Sequence, residues 1–481
     1  MGDSTAYFVA WLLPILVGSG IWFALRGARA AGDAFAAIGA GWLIGVFVAA
    51  LCARFTSSAD TEFAFSHAWP WMLGIGVAAW GIALARMRRT PAGAPPPAFA
   101  TPFVVRIAAS LLLLWILVRL LSIGEEALLR PVFPWDAWSA WSTKPKAWFI
   151  NGHVEPYVSM LDWLTHPTDA LRTAASWAYP ELLAWVQLWF ASAAGSWNEP
   201  LVDVAWCGAL AAFALAAYGY ARALGLVPWI ALALVYALVS LPLIDAHVAL
   251  AGYADLWVAL TLGLVSLAWS RWLIHREPGQ RVLAVAAALC LPALKLEGTV
   301  WLLVFAAIVV FDLVPRPWRS RTVLSIGALL AVCVFAAIAA GSLEIGWNHI
   351  VIRSLGTFEL AWHSVGGAMV ASLFMLPNWH LVWYIVPVLL VLRRRRFGDD
   401  RAAQLLGCML LIDFALLFAL FFFTTASTWA QDFTSANRLI LQLVPSLFVL
   451  AAVLLRPQPG RETTLSDRDR ARASVLPSVP A

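Results

Sequence analysis

The feature that most constrains this chain is a succession of apolar stretches, each close to 20 residues long, separated by short polar segments. Such a stretch is long enough to cross the ~30 Å hydrocarbon core of a bilayer as an α-helix. The alternating pattern of a barrel strand is lacking, and charged residues make up only 12% of the chain, against ~25% in soluble domains. The sequence therefore predicts an all-α polytopic membrane protein.

Thirteen transmembrane helices are predicted, and short arginine-rich segments separate many of them. The predicted spans are 7–25, 34–52, 69–86, 103–123, 201–220, 226–244, 253–270, 281–294, 298–313, 322–340, 379–392, 404–425 and 437–455. All the arginine clusters fall on one side of this arrangement, which the positive-inside rule makes cytoplasmic. We therefore expect a multi-pass protein of the cell (inner or plasma) membrane, with its N-terminus outside and its C-terminus in the cytoplasm.

The segment 178–194 is also apolar, but a span there would move every later arginine cluster to the outer side. We interpret it as an interfacial helix in a large outer loop, 124–200, with Glu181, Gln187 and several tryptophans facing the lipid headgroups. Residues 1–102 then form an additional N-terminal three-helix unit and 103–455 the main transmembrane domain. The polar tail 456–481 is expected to be a disordered cytoplasmic segment.

Composition also excludes several classes of function. The formal net charge is +5, but no basic stripe interleaved with aromatics is present, so nucleic acid is not an expected partner. The five cysteines lie in or beside apolar stretches at no metal-like spacing, which favours packing over disulfides or zinc. The N-terminus lacks a basic region and a cleavage site, so we expect the first span to be retained.

Lysine is rare and unevenly placed. Only Lys144, Lys146 and Lys295 occur, and all three fall on the predicted outer side, whereas the cytoplasmic segments use arginine alone. One explanation is that three lysines in an arginine-rich chain fall on the same side by chance. The alternative is that cations placed against the inside bias bind an anionic ligand such as a lipid phosphate.

The outer loop combines an acid with a row of tryptophans. Asp136 stands among Trp135, Trp138 and Trp141, close to the cations that follow in the sequence. Tryptophans at this spacing line one side of a helix. They are typical of an interfacial belt, and they also suit a wall on which sugar rings stack.

Three further segments carry ionisable residues at the same predicted face. Asp255 ends the sequence GYAD, Glu297 lies in KLEG between two short apolar runs, and Arg438 begins the last span. Each alone suits a helix-end anchor, but an interrupted span with ionisable residues at the break is typical of a membrane site. Arg353 is a further cation predicted on this side.

The order of these motifs resembles the GT-C superfamily of bacterial glycosyltransferases, in the branch similar to protein O-mannosyltransferases and lipid A aminoarabinose transferases. The resemblance runs through WDAWSAWSTKPKAWF, then His166-Pro167 and Tyr179-Pro180, then GYAD, KLEG and RLILQLVP, within residues 103–455. It implies a GT-C-like fold in which 103–455 is the transmembrane catalytic domain. It also implies a polyprenyl-phosphate sugar as donor, consumed at the outer face. It also implies that the loop carboxylate, Asp136, is catalytic, although Ala137 stands where many relatives have a second acid.

This resemblance leads to specific expectations for the site. We expect Asp136 to act as general base toward a hydroxyl of a glycan, lipid or protein acceptor. Lys295, Arg353 and Arg438 are expected to bind the lipid phosphate, with Lys144 and Lys146 in reserve. Secondary or orienting roles fall to the remaining candidates, Asp255, Glu297, His166 and Tyr179. No obligatory metal is expected, although the acids of this face leave a divalent cation open.

Two rival functions remain. A transporter or flippase of a lipid-linked sugar would need polar residues through the bilayer, and Asp413, in the middle of a predicted span, is the residue that best suits it. A non-catalytic lipid-binding or assembly subunit would keep the cations but tolerate loss of Asp136.

Overall fold

The structure is a computed structural model that describes residues 2–27, 30–57, 64–89, 102–166, 168, 170–353 and 356–457. Of these described residues 78% are helical, as predicted for an all-α protein. Pro167 and all but the first two residues of the tail 456–481 lie outside the described residues, so the expectations for them stay predictions.

The helices in the described ranges are numbered in chain order. They are α1 (Gly2–Leu25), α2 (Asp33–Phe55), α3 (Phe65–Arg89), α4 (Phe103–Leu129), α5 (Thr143–Asn151), α6 (Met160–Thr165), α7 (Leu182–Ala194), α8 (Glu199–Ala223), α9 (Pro228–Val239), α10 (Pro242–Ala249), α11 (Ala254–His275), α12 (Pro278–Leu294), α13 (Gly298–Leu313), α14 (Arg319–Ala339), α15 (Gly366–Val370), α16 (Val382–Leu392), α17 (Arg394–Asp399), α18 (Arg401–Phe423), α19 (Ser427–Gln431) and α20 (Ser435–Leu455).

The strands are short and lie outside the helical bundle. They are β1 (Tyr157–Val158), β2 (Arg172–Thr173), β3 (Leu343–Ile345), β4 (His349–Ile352) and β5 (Gly356–Glu359). β1 and β2 pair in parallel within the loop 124–200, and β3, β4 and β5 form an antiparallel meander.

Eight helices in the described ranges are long and apolar enough to cross a membrane: α1, α2, α3, α4, α8, α11, α18 and α20. α9 and α10 pass the same test together, bent by 62° where Pro242 cannot continue the preceding helix, which raises the count to nine. By length and composition the chain is therefore a multi-pass membrane protein. The predicted spans at 281–294, 298–313 and 379–392 coincide with the shorter apolar helices α12, α13 and α16.

Helix α11 lies at the centre of the bundle and is almost entirely buried. It packs against α8, α12, α18 and α20. A Cβ at Gly263 would stand 2.6 Å from the Phe213 ring and 2.8 Å from Pro445, so glycine permits this close crossing. Ser266 also donates a 2.8 Å hydrogen bond to Ser446, which joins α11 to α20 inside the bundle.

The first two helices pack tightly onto the bundle. A Cβ at Gly45 would stand 2.0 Å from the Pro14 carbonyl oxygen, and one at Gly39 would stand 2.2 Å from that of Ala212. Small residues thus let α2 approach both α1 and α8 at backbone distance, as is typical of helix pairs in membranes.

Helix α7 corrects one expectation. The sequence predicts that its polar and aromatic side chains face lipid headgroups, but Gln187, Trp185 and Trp189 are all buried. α7 packs against α1 and α2, and the Gln187 amide accepts a 2.9 Å hydrogen bond from Ser142 while donating to the Trp141 carbonyl. Because these protein partners satisfy the amide, it does not need the headgroup region.

Candidate functional site

The candidate site begins at a short turn that carries Asp136. The Pro134 carbonyl accepts hydrogen bonds from the backbone N–H groups of Ala137 and Trp138. Ser142 N–H then bonds the Ala137 carbonyl five residues back at 2.8 Å, which makes 137–141 a single π-helical turn. Such turns are rare and frequently occur at functional sites. Asp136 immediately precedes it.

The Asp136 carboxylate is held by a cation from the far end of the chain. Arg438 Nη1, in the first turn of α20, lies 2.5 Å from Asp136 Oδ2, and Arg438 Nη2 donates a 3.0 Å hydrogen bond to Ser435. The guanidinium also lies 4.8 Å from the centroid of the Tyr253 ring. The Asp136 side chain is 41% exposed and that of Arg438 20%, so the pair can meet a ligand from solvent.

A second group of charges adjoins the first. Lys295 Nζ lies 2.8 Å from Asp255 Oδ1 and 3.1 Å from Glu297 Oε1. Asp255 is fully buried, and its Oδ1 also accepts a 2.6 Å hydrogen bond from Gln442 Nε2. Since an ammonium has three donors, these two contacts within the described residues leave Lys295 one donor for a ligand. We call Asp136, Asp255, Lys295, Glu297, Arg438 and Gln442 the polar cluster.

Backbone geometry explains how these segments meet. Gly252 has a φ of +111°, and a Cβ there would stand 2.4 Å from Ala137 Cβ, so the GYAD turn touches the π-helical turn directly. Arg438 and Gln442 lie one helical turn apart on α20 and reach Asp136 and Asp255 respectively. Four segments far apart in sequence therefore build one site.

Burial and charge act in opposite directions on the Lys295 ammonium. Burial lowers its pKa, but the carboxylates of Asp255 and Glu297 outweigh burial and leave that pKa raised above the usual lysine value. The pKa of the nearby Tyr179 hydroxyl is raised as well, mainly by burial, with Lys295 acting against the rise. Lys295 is therefore a permanent cation at physiological pH, and Tyr179 a neutral hydroxyl.

The three tryptophans of the motif do not share one environment. Trp135 and Trp138 are 70% and 47% exposed and meet edge to face, with centroids 4.7 Å apart. Trp141 is buried, and its ring lies 4.9 Å from that of Tyr179. The π-helical turn changes the angle between successive side chains, so the row expected from α-helical spacing is broken after Trp138.

The other two lysines already have protein partners. Lys144 is buried, donates to the carbonyls of Trp177 and Tyr179 at 2.8 and 3.0 Å, and lies 3.7 Å from Glu181. Burial lowers the Lys144 pKa, which the Glu181 carboxylate opposes. Lys146 pairs with Glu199 at 2.8 Å. These contacts hold the loop to itself and to α8.

Arg353 and His166 are not brought into the polar cluster. Arg353 is exposed, follows β4 and donates its backbone N–H to the Ser342 carbonyl. His166 is exposed at the end of α6, where its ring nitrogen lies 3.0 Å from the Thr165 hydroxyl. Neither side chain contacts a member of the cluster within the described part of the chain.

Three residues that the sequence did not single out support the cluster. Trp301 donates a 2.7 Å hydrogen bond to Gln442 Oε1, which orients the amide toward Asp255. Tyr253 places its ring beneath Arg438, and Trp206 donates to the Tyr253 carbonyl at 2.8 Å. The sequence analysis also missed Gln442, a member of the cluster itself. The available signal was its place as a lone glutamine one turn after Arg438 in an apolar helix, because polar residues within spans are rarely without a role.

The residues that the structure describes include no group of metal ligands: no three His, Cys, Asp or Glu side chains there stand close enough to hold an ion. In the polar cluster Asp136, Asp255 and Glu297 instead each place one carboxylate oxygen against a nitrogen donor. The arrangement can hold an anion between Lys295 and Arg438 with a carboxylate at its side, which suits a reaction that releases a phosphate.

No protein-family model, no curated protein and no solved structure matches the chain. Function is therefore inferred from the chemistry of the polar cluster itself.

Proposed function

We propose that this chain is a membrane glycosyltransferase that moves a sugar from a polyprenyl-phosphate donor to a glycan, lipid or protein acceptor of the cell envelope. The observation that carries the proposal is the contact of Asp136 with Arg438 beside Lys295. A base and two cations are what such a transfer requires. Exposed Trp135 and Trp138 next to Asp136 offer aromatic faces on which a sugar ring can stack.

The proposal includes a topology. Thirteen spans, with α12, α13, α14 and α16 added to the longer helices, would put the polar cluster at the outer face of the cell membrane and the arginine clusters inside. The loop 124–200 would then be the outer loop of a GT-C-like enzyme. This arrangement suits a donor whose prenyl chain stays in the bilayer while its phosphate reaches the helix ends.

Transfer would proceed by direct displacement at the anomeric carbon. The acceptor oxygen forms a bond to that carbon as the bond to the phosphate oxygen breaks, and the bonding electrons leave with the polyprenyl phosphate. Asp136 takes the acceptor proton, while Lys295 and Arg438 neutralise the phosphate charge. Asp255 and Glu297 hold Lys295 in place for this task.

Arg438 would couple donor binding to activation of the base. Its guanidinium is bound to Asp136 Oδ2 in the structure. A donor phosphate competes for the same guanidinium, because Arg can grip phosphate oxygens with two N–H groups. Transfer of Arg438 to the phosphate would release Asp136 for the acceptor hydroxyl only when donor is present.

One observation favours a second candidate, transport of a lipid-linked sugar. Asp413 lies buried in α18, and neither carboxylate oxygen has a hydrogen-bond partner in the described structure. An intramembrane acid of this kind is a functional-site candidate. It stands on a different helix from every member of the polar cluster.

The deciding experiment incubates the purified protein in nanodiscs with radiolabelled polyprenyl-phosphate sugars and a membrane extract as acceptor. We expect release of free polyprenyl phosphate together with a labelled product. Asp136→Asn should lower this rate by about 100-fold or more. Glu126→Gln is the matched control, because it removes a half-exposed carboxylate paired with Arg130 in the same loop.

Two outcomes would overturn the proposal. Full transfer by Asp136→Asn would remove Asp136 as base. Movement of labelled lipid across proteoliposomes with no product, abolished by Asp413→Asn but not by Asp136→Asn, would establish transport instead.

A further inference from the structure

A cavity lies at the end of α20 that is far from the polar cluster. Arg438 stands near the start of that helix and Arg456 directly follows its end, about 27 Å away at ~1.5 Å per residue. The cavity there has a volume of about 930 Å³. Arginines from two parts of the chain line it: Arg393, Arg394, Arg395, Arg396 and Arg456. No step of the proposed transfer uses this cavity.

The cavity carries an excess of positive charge. Asp400 lies 2.8 Å from Arg456 and 3.9 Å from Arg396, so two guanidinium groups share one carboxylate. Arg393, Arg394 and Arg395 form no ion pair within the described residues. Counting the five arginines against Asp399 and Asp400 leaves a net charge of about +3 around one concave surface.

Two buried donors in this cavity also lack an acceptor. The Nε–H groups of Arg396 and Arg456 have no hydrogen-bond partner in the described structure, although both residues use other nitrogens on protein oxygens. A buried guanidinium N–H without an acceptor is costly. Donors without acceptors together with unpaired positive charge indicate that this cavity binds an anion. Arginines that served only to set the membrane topology would instead have their N–H groups exposed to water.

Apolar side chains adjoin these arginines. Val391 and Leu392, at the end of α16, are 64% and 75% exposed and line the same cavity, and Leu455 lines it from α20. A headgroup held by the arginines would therefore have acyl chains running along the apolar ends of these two helices. A free phosphate would leave that apolar surface unused.

We propose that this cavity is a binding site for an anionic phospholipid whose headgroup carries two phosphates. Each guanidinium can grip one phosphate in a fork, and three unpaired arginines exceed what a single phosphate needs. Basic pockets between transmembrane helices are known to hold such headgroups. The site is independent of the glycosyl-transfer proposal, since the two lie at opposite ends of α20.

The test measures lipid binding to the delipidated full chain by native mass spectrometry. The probes are cardiolipin, phosphatidylglycerol, phosphatidylcholine and inorganic pyrophosphate. The variant is Arg394→Gln with Arg395→Gln, which leaves the Arg396 and Arg456 contacts in place. The matched control is Arg319→Gln with Arg321→Gln, two arginines that stack on Phe311 and Trp318 outside the cavity.

We expect cardiolipin to bind the native chain more tightly than phosphatidylglycerol, and phosphatidylcholine to bind least. The cavity variant should lose about tenfold to thirtyfold in cardiolipin affinity, and the control variant less than about threefold. Equal losses in both variants would overturn the proposal, because they would indicate diffuse attraction alone. Pyrophosphate binding as tight as cardiolipin would also overturn it and would assign the cavity to a soluble phosphate compound.

Discussion

Arg438 Nη1 lies 2.5 Å from Asp136 Oδ2, and this contact links two residues that are 302 positions apart in the chain. Through this contact the last long helix fixes the carboxylate of the loop 124–200, and the same helix fixes Asp255 through Gln442 one turn further on. The positions of the candidate base and of the buried acid therefore depend on a single helix. Small changes at its first turn are expected to affect both.

Replacing Arg438 by lysine tests whether the fork of the guanidinium matters. Lysine keeps the positive charge, but a single ammonium cannot bind Asp136 and Ser435 while also stacking on Tyr253. We expect a loss of about 10- to 100-fold in kcat/KM, mainly through the KM for the polyprenyl-phosphate sugar. Steady-state kinetics with varied donor would measure it.

The control for this prediction is Arg172→Lys. Arg172 forks onto Glu155 through Nε and Nη2 in the same loop, away from the polar cluster. Its replacement should leave the donor KM within about twofold. An unchanged donor KM in Arg438→Lys would contradict a phosphate-binding role for Arg438.

Replacing Lys295 by methionine tests the ion pair between Lys295 and Asp255 within the polar cluster. The change would leave Asp255 buried without its cation, which is expected to destabilise the fold by about 3–5 kcal/mol. The double variant Lys295→Met with Asp255→Asn should recover part of that loss, because the buried charge is then gone. Thermal unfolding in nanodiscs, followed by tryptophan fluorescence, would measure both. Additive losses in the double variant would contradict coupling of the pair.

Much of this site could be predicted from sequence order and sidedness. An apolar chain leaves few places for ionisable residues, and those at Asp136, Asp255, Lys295, Glu297 and Arg438 all fell on one predicted face. Helix ends on one side of a bilayer lie within reach of one another, so the structure brings these five together.

Other placements depended on packing that no local pattern encodes. Helix α7 has the length and polarity of an interfacial helix, yet it is buried because α1 and α2 cover it. Trp141 leaves the row of tryptophans because a π-helical turn intervenes, and i to i+5 bonding has no sequence signature. Lys144 pairs within its own loop through carbonyls whose positions depend on the folded chain.

Replacing Gly252 by alanine tests the contact between the GYAD turn and the π-helical turn. The residue has φ of +111°, and its new Cβ would stand 2.4 Å from Ala137 Cβ. Backbone strain and displacement of the neighbouring Asp136 should together lower stability by about 1–3 kcal/mol and transfer by about tenfold or more. Parallel measurements of thermal unfolding and transfer rate would separate the two effects.

Gly225→Ala provides the comparison for strain alone. Gly225 has φ of +90°, but among the described residues a Cβ there would meet only Pro457, at 3.6 Å, an ordinary contact. We expect this variant to lose stability. Its transfer rate should fall no further than the lower amount of folded protein explains. Equal transfer rates in the two variants would mean that the close approach at Gly252 does not position Asp136.

The pH dependence of donor binding tests the electrostatics of Lys295. Burial lowers the pKa of this ammonium, but Asp255 and then Glu297 raise it above the usual lysine value of ~10.4, so the native enzyme keeps the cation as pH rises. In Asp255→Asn only Glu297 still opposes burial, and the Lys295 pKa should fall. We therefore expect a donor KM that is flat between about pH 7 and about pH 9.5 in the native chain but rises with pH in Asp255→Asn. Glu297→Gln removes the lesser of the two charges and should give a smaller rise. A rise of equal size in the native chain would show that Lys295 is not held in its charged form by Asp255.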